Sequence, residues 1–471
     1  MTNGDLDASG RPLPDGPSAD LGRFPKWRTF AEGRRLLGLV RIHDVFYFVS
    51  RPEVRQAIAS LETDHEHVSA RPIHPGLLAG RLSEKPFVVL VDDAGIQFLD
   101  LPRFRRENPS GLVVLLATSL FIGCAPPHEA EVKHPYVAKA DLVFYVGGTD
   151  RECSCTVRAA LRCAEDLINL RYGPWARRFL FLVVDDEPRW FSEFLPVLYG
   201  IIGYRAAVFV ARTYEEATRA FEGLQDDIIC LITDVFIPRR NILGAHGVDL
   251  VDLVSERAPR IPIVVASKAE EAKKLSDVFL LPKGDPEALG VLSRYVKDFA
   301  GFDKFLFFDN GGQLIAAASS LAELRNVIAG LDLGILERYA ARDYFSTWLY
   351  MHGFRELADL LQPRQERGDA LRETLLRRID QQLESVARER FEFLTQGGGV
   401  AVTAGNLEEL ERCIATVDLP TLQFNSELDW FSTWLMRRGH AALADALRPI
   451  HGNGEALRQQ LLDKVRRHAG R

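Results

Sequence analysis

Short apolar runs recur along the first 300 residues, and they are continuous rather than alternating. Such runs mark parallel strands covered on both faces, because alternation appears only when one face meets water. VFYFVS (45–50), FVVLVDD (87–93), LVVLLATS (112–119) and DLVFYVG (141–147) form a first set of strands. VVDDEP (183–188), LITDVFIP (231–238), the VVAS closed by Ser267 and LLPKGD (280–285) hold the ends of a second set. Segments of helical period stand between the runs: PEVRQAIASL follows the first, and residues 151–170 form an amphipathic helix with Thr149 or Asp150 as its N-cap. The predicted fold is α/β, with two doubly wound parallel sheets in succession.

Beyond residue 300 the pattern changes and repeats itself. YFSTWLYMHGFRELADLLQP (344–363) returns 86 residues later as WFSTWLMRRGHAALADALRP (430–449). From Phe305 to Pro363 roughly 25 of 59 positions are identical to their counterparts, so the segment is a tandem duplication. Each copy reads as a strand, a GG turn (Gly311–Gly312, Gly397–Gly398), a second strand and three helices, an α+β module. Phe345, Trp348 and Leu349, repeated as Phe431, Trp434 and Leu435, share one helical face and are expected in the core of each copy. Asp343 and Asp429 stand as helix caps. His352 is replaced by Arg438 in the second copy, so it is no shared ligand. Residues 364–390 are expected as an exposed helix bridging the copies.

Composition narrows the function. With a net charge of −7, the chain lacks the basic balance of a nucleic-acid binder. No apolar run reaches membrane-spanning length and no signal-peptide pattern opens the chain, so a cytoplasmic protein is expected. Six scattered cysteines make no disulfide framework. The expected organisation is a disordered leader (1–24), a first α/β domain (25–170), a second (177–300), and module copies at 302–386 and 388–471, with a short join near 171–178 fixing the two α/β domains to each other.

The second set of strands carries the chemistry. Ligands gather at the carboxyl ends of parallel strands, where Asp185, Asp186, Asp234, Ser267 and Lys283 all fall. Three carboxylates, a hydroxyl and an ammonium brought to one edge suit a divalent metal and a phosphoryl group. This constellation resembles the receiver domain of bacterial two-component response regulators. The resemblance implies a flavodoxin-like fold, Mg²⁺ on Asp185, Asp186, Asp234 and the backbone carbonyl of Phe236, and Asp234 as phosphoacceptor, with Ser267 and Lys283 on the phosphoryl oxygens. It departs in three places: only fifteen residues separate Ser267 from Lys283, which shortens the fourth helix; the 235–247 loop is long; and Phe279, the aromatic before the lysine, is displaced by about one residue. The first set has Asp92 or Asp93 near the acceptor position and Thr118 near Ser267, but no acidic pair and no closing lysine, since Lys139 precedes its strand. It is expected to be a pseudo-receiver.

The order of parts is also similar to the regulatory front of phosphoenolpyruvate synthase-like proteins, with Phe194-Leu195-Pro196 and one FSxWL module, although here the module is doubled and the catalytic regions are missing. The implied function is a response regulator that is not itself an enzyme. Its partners would be a histidine kinase or other phosphodonor, a downstream protein, and a second copy of this chain. The competing expectation is a constitutive scaffold or regulatory subunit of a phosphoenolpyruvate- or pyruvate-handling enzyme.

Overall fold

The computed structural model describes residues 42–470 apart from internal stretches, the longest at 75–81, within 120–139 and at 173–179. The expected leader (1–24), Lys139, most of the 171–178 join, Gly311–Gly312, Gly397 and Asp429 lie outside the described residues. The chain divides into two compact units, with the boundary between Ser293 and Arg294.

The first unit holds two five-stranded parallel sheets. In the first sheet β1 (Asp44–Phe48), β2 (Ser69–Pro72), β3 (Phe87–Asp92), β4 (Gly111–Ala117) and β5 (Leu142–Tyr145) lie in the order β2-β1-β3-β4-β5. Every residue of β3 and β4 is buried, as their unbroken apolar runs predict. The edge strand β2, SARP, is half exposed and carries no apolar run, so periodicity could not find it. Helices α1 (Pro52–Asp64), α2 (Leu101–Glu107) and α3 (Asp150–Tyr172) accompany this sheet. Thr149 caps α3 in a reciprocal arrangement: its amide donates to the Glu152 carboxylate, and its hydroxyl accepts from the Glu152 amide.

The second sheet repeats that order. Strands β6 (Leu180–Val184), β7 (Ala207–Ala211), β8 (Ile228–Thr233), β11 (Ile263–Ser267) and β12 (Phe279–Pro282) run β7-β6-β8-β11-β12, all parallel. Around it lie α4 (Pro188–Ile202), α5 (Tyr214–Leu224), α6 (His246–Arg257) and α7 (Ala288–Phe299). The expected short fourth helix is a single 3₁₀ stretch, Glu270–Lys274. The 235–247 segment is no open loop: β9 (Ile237–Arg239) and β10 (Ile242–Gly244) pair as an antiparallel hairpin, leaving Ile242 and Leu243 exposed.

The two sheets join through α3 and α4. The Ser192 hydroxyl on α4 accepts from the Tyr145 amide at 2.9 Å, which satisfies an amide on edge strand β5. Phe144 and Phe191 meet edge to face behind it. On α3, the buried Asp166 carboxylate accepts from the Val208 amide and the Tyr199 hydroxyl, and pairs with Arg162 at 3.1 Å. Burial raises the Asp166 carboxyl above its usual range, although all three partners favour its charge.

The second unit contains both modules. In the first copy, the hairpin β13 (Phe305–Phe308) and β14 (Leu314–Ala318) precedes α8 (Leu321–Gly330), α9 (Leu333–Ala341), α10 (Tyr344–Met351), α11 (Arg355–Leu360) and α12 (Gly368–Arg388). The second copy follows the same course with β15 (Phe391–Leu394), β16 (Val400–Ala404), α13 (Leu407–Thr416), α14 (Leu419–Glu427), α15 (Trp430–Arg437), α16 (Ala441–Leu447) and α17 (Gly454–His468). Five helices are thus described in each copy where three are expected, because short helices joined by tight turns read as longer ones. The helix α12 is no exposed bridge. Leu371, Leu375, Ile379 and Val386 put one of its faces into the first copy's core. Phe345, Trp348, Leu349 and their counterparts Phe431, Trp434 and Leu435 are buried as expected. His352 stacks on Trp348 at 3.8 Å, and Arg438 lies over Trp434 at 4.6 Å, so the replaced position keeps its place against the tryptophan. Asp343 has φ 58°, and its carbonyl accepts from the Thr347 amide at the start of α10.

Candidate functional site

Asp185 and Asp186 follow β6 directly, Asp234 follows β8, Ser267 ends β11 and Lys283 follows β12. Parallel pairing fixes their meeting. Val184 pairs with Thr233, and Ser267 with Pro282, so neighbouring strands deliver these residues to one edge of the sheet. One ligand oxygen from each of Asp185, Asp186 and Asp234 can be chosen so that all lie within 4.8 Å of one another. The Lys283 ammonium is salt-bridged to Asp185 at 2.6 Å and also to Asp234. Ser267 is half-buried beside them on the neighbouring strand, and Phe236, two residues past Asp234, has an exposed side chain.

Backbone groups hold the carboxylates. Asp185 accepts from the Glu187 amide at 3.1 Å, and Asp234 from its neighbour Val235 at 2.6 Å. Arg212 donates to the Asp186 carbonyl at 3.2 Å. Gly247 is required by sterics: a Cβ there would stand 1.8 Å from the Asp234 carbonyl oxygen, and its amide donates to the Val235 carbonyl. This glycine was not singled out from sequence, although GAHG at the end of the long segment is a signal for it.

Burial dominates the electrostatics. It pushes both Asp185 and Asp186 up to about 7, and the adjacent carboxylates add to the effect. Burial raises Glu187 as well. For Lys283 burial pulls down, but Asp185 and Asp234 outweigh it and hold the ammonium charged. Such an arrangement is short of positive charge: three carboxylates share one ammonium. The donor set is all oxygen and closely gathered, which fits a hard divalent cation such as Mg²⁺.

Trp190 is a second residue that motif reading passed over. It lies in the first turn of α4, buried, with the Lys283 ammonium 5.5 Å and the Lys268 ammonium 4.8 Å from its ring centroid. Its only sequence signal is an aromatic residue shortly after an acidic pair.

The first sheet gathers different groups at the same edge. Asp92 ends β3 and accepts from the Ser50 amide, the Ser50 hydroxyl and the Gly95 amide. Asp93 accepts from the Thr118 amide and hydroxyl and from the Ser119 amide. The residue directly after β5, where Lys283 follows the corresponding strand of the second sheet, is the buried Val146. Among the described residues the only acidic group able to hold a metal is that of the second sheet.

No protein-family model and no curated protein matches the chain. Two of the solved structures that match are a putative sugar binding protein from Salmonella typhimurium and the C-terminal domain of glucosamine-fructose-6-phosphate aminotransferase from Francisella tularensis. The first is 11% identical, covers 56% of this chain and 89% of its own length, and has a TM-score of 0.20. The second is 8% identical, with 55% and 87% coverage and a TM-score of 0.19. Neither is a response regulator, and the receiver attribution is corrected on this finding. The two-component assignment, the pseudo-receiver label, the likeness to the front of phosphoenolpyruvate synthase-like proteins and the signalling function are withdrawn with it. The physical reason is general: carboxylates at strand ends of a doubly wound sheet specify a site, and the same sheet serves unrelated families. TM-scores this low also transfer neither fold nor ligand to this chain.

Proposed function

We propose that the carboxyl edge of the second sheet is a Mg²⁺-dependent phosphoryl site with Asp234 as its phosphoacceptor. One observation carries the reading: three acidic side chains gather around a buried lysine that is paired to two of them. The doubly wound strand order supports it, because such sheets take ligands at this edge. Asp185, Asp186, Asp234 and the Phe236 carbonyl would hold the metal, which supplies positive charge where phosphoryl oxygens gather.

The chain's own residues then divide the work. Asp234 is the least enclosed of the three carboxylates, with 14% of its side chain exposed, and so is the one a donor can reach. Its oxygen forms the new bond to phosphorus as the donor's oxygen–phosphorus bond breaks, and the donor leaves as its carboxylate. Lys283 leaves its bridge to Asp234 for the phosphoryl oxygens, and the Ser267 hydroxyl donates to another. The site takes up one phosphoryl group from a small phosphodonor rather than turning over a substrate.

The test is intact mass after incubation with acetyl phosphate. A Mg²⁺-dependent gain of one phosphoryl group on wild type, absent in Asp234→Asn, is expected. A gain independent of Mg²⁺, or unchanged in Asp234→Asn, refutes the assignment.

A further inference from the structure

Lys268 is a basic side chain beside this site that has no part in the phosphoryl transfer as proposed. It directly follows Ser267 at the end of β11, and its side chain is exposed. The ammonium is nevertheless placed. It rests 4.8 Å from the centroid of the buried Trp190 ring, the ring that also lies 5.5 Å from the Lys283 ammonium. On its other side is Gly284, the residue after Lys283, at φ 81°. A Cβ built there would stand 3.1 Å from the Lys268 Cε, 3.2 Å from its Nζ and 3.8 Å from the Trp190 ring. Lys268, Trp190 and the Gly284 backbone therefore pack as one wall of the site, and a cation held on an aromatic face is drawn there by the ring's quadrupole.

Charge gives this wall a purpose. Lys283 is committed to Asp185 and Asp234, and the three carboxylates would be taken up by the metal. A phosphoryl group brings up to two further negative charges. Lys268 has no ion pair among the described residues, so its charge is available to an incoming anion. We propose that Lys268, seated on Trp190, is the second ammonium of the site. It positions the dianionic phosphoryl group of an acyl phosphate donor before transfer, so the site favours doubly charged donors. This rests on the phosphoryl reading, and its test is arranged to separate the two.

The experiment follows the rate of Mg²⁺-dependent labelling by acetyl phosphate, by intact mass, for the full chain and for Lys268→Gln and Lys268→Arg. The expected result for Lys268→Gln is a half-saturating donor concentration raised about tenfold, as for loss of one charged contact, with the maximal rate within about twofold. Its labelling should also depend less on salt, and Lys268→Arg should restore both properties because the charge is kept. Trp190 emission should respond to the donor in wild type and less in Lys268→Gln. Identical donor and salt dependence in wild type and Lys268→Gln overturns the role of Lys268 and leaves the site itself standing. A fall in maximal rate alone, or lost Mg²⁺ binding in Lys268→Gln, shows a structural role and overturns it equally. Wild type that takes up no phosphoryl group removes both readings.

Discussion

The two sheets of the first unit share one strand order and one direction of pairing, yet their carboxyl edges have opposite character. At the first edge both carboxylates are hydrogen-bonded by nearby groups, although the buried Oδ1 of Asp93 has no hydrogen-bond partner among the described residues. Asp92 takes three hydrogen bonds from Ser50 and Gly95, and Asp93 takes three from Thr118 and Ser119. At the second edge the carboxylates face one another and share a single ammonium, with burial holding Asp185 and Asp186 near 7. A backbone that can host chemistry is therefore not evidence of chemistry. What separates the two is whether polar groups satisfy each other within the chain or are gathered with a charge imbalance that invites a ligand.

The most severe way to break this comparison is to remove the corresponding carboxylate from each sheet. Asp234→Asn should lose all Mg²⁺-dependent labelling, whereas Asp92→Asn should be labelled as wild type. Mass spectrometry after acetyl phosphate treatment reads both, and labelling that fails in Asp92→Asn would mean the first edge takes part.

The duplicated modules offer a control, a pair in which neither copy is asked to bind anything. Trp348 and Trp434 are both buried and both stacked beneath the residue four positions on. Replacing either with alanine should cost on the order of 3–5 kcal/mol, the usual range for large core aromatics, and the two losses should be similar. Denaturant unfolding of the single mutants measures this. A loss near zero for either would show that its tryptophan serves a surface and not the core.

A third distinction should appear in pH dependence. The folded carboxyls of Asp185 and Asp186 sit near 7, above the ordinary value near 4, so the folded metal-free protein binds protons that the unfolded chain has already released. Stability of the metal-free protein from these groups is present below about pH 4 and is lost as pH rises toward 7. Mg²⁺ must displace those protons, so its apparent affinity should rise by up to about tenfold per pH unit for each proton displaced, levelling above about pH 7. Calorimetric titration in buffers of different ionisation enthalpy counts the protons. A flat affinity from pH 5 to 8 would contradict the buried carboxyl pair.

The smallest effect separates structural from functional carboxylates by stability alone. Asp92→Ala leaves the Ser50 and Gly95 donors unanswered and should cost about 1–3 kcal/mol at neutral pH, with no dependence on Mg²⁺. Thermal unfolding with and without Mg²⁺ checks it, and a Mg²⁺-dependent difference would place a metal at the first edge.

Much of this was legible in the residues themselves. Unbroken apolar runs locate eight of the ten parallel strands or their ends, all but the polar edge strand β2 and the short β7. The five side chains of the second edge are legible from sequence, because strand ends are set by where apolar runs stop. The tandem repeat and its buried FSTWL face followed from periodicity. A family and a signalling function did not follow, since motif spacing constrains local geometry and says little about ancestry or partners.

The rest depended on contacts distant in sequence. Only pairing across the chain showed the 235–247 segment to be a hairpin and turned 364–390 from an exposed bridge into a core helix. Only packing put Lys268 and Lys283 against one tryptophan, and Gly247 against the Asp234 carbonyl. The division is physical. Which residues stand at the end of a strand is a local property of hydrophobic pattern, while which charges remain unanswered there depends on every neighbour the fold brings in, and that only the tertiary structure decides.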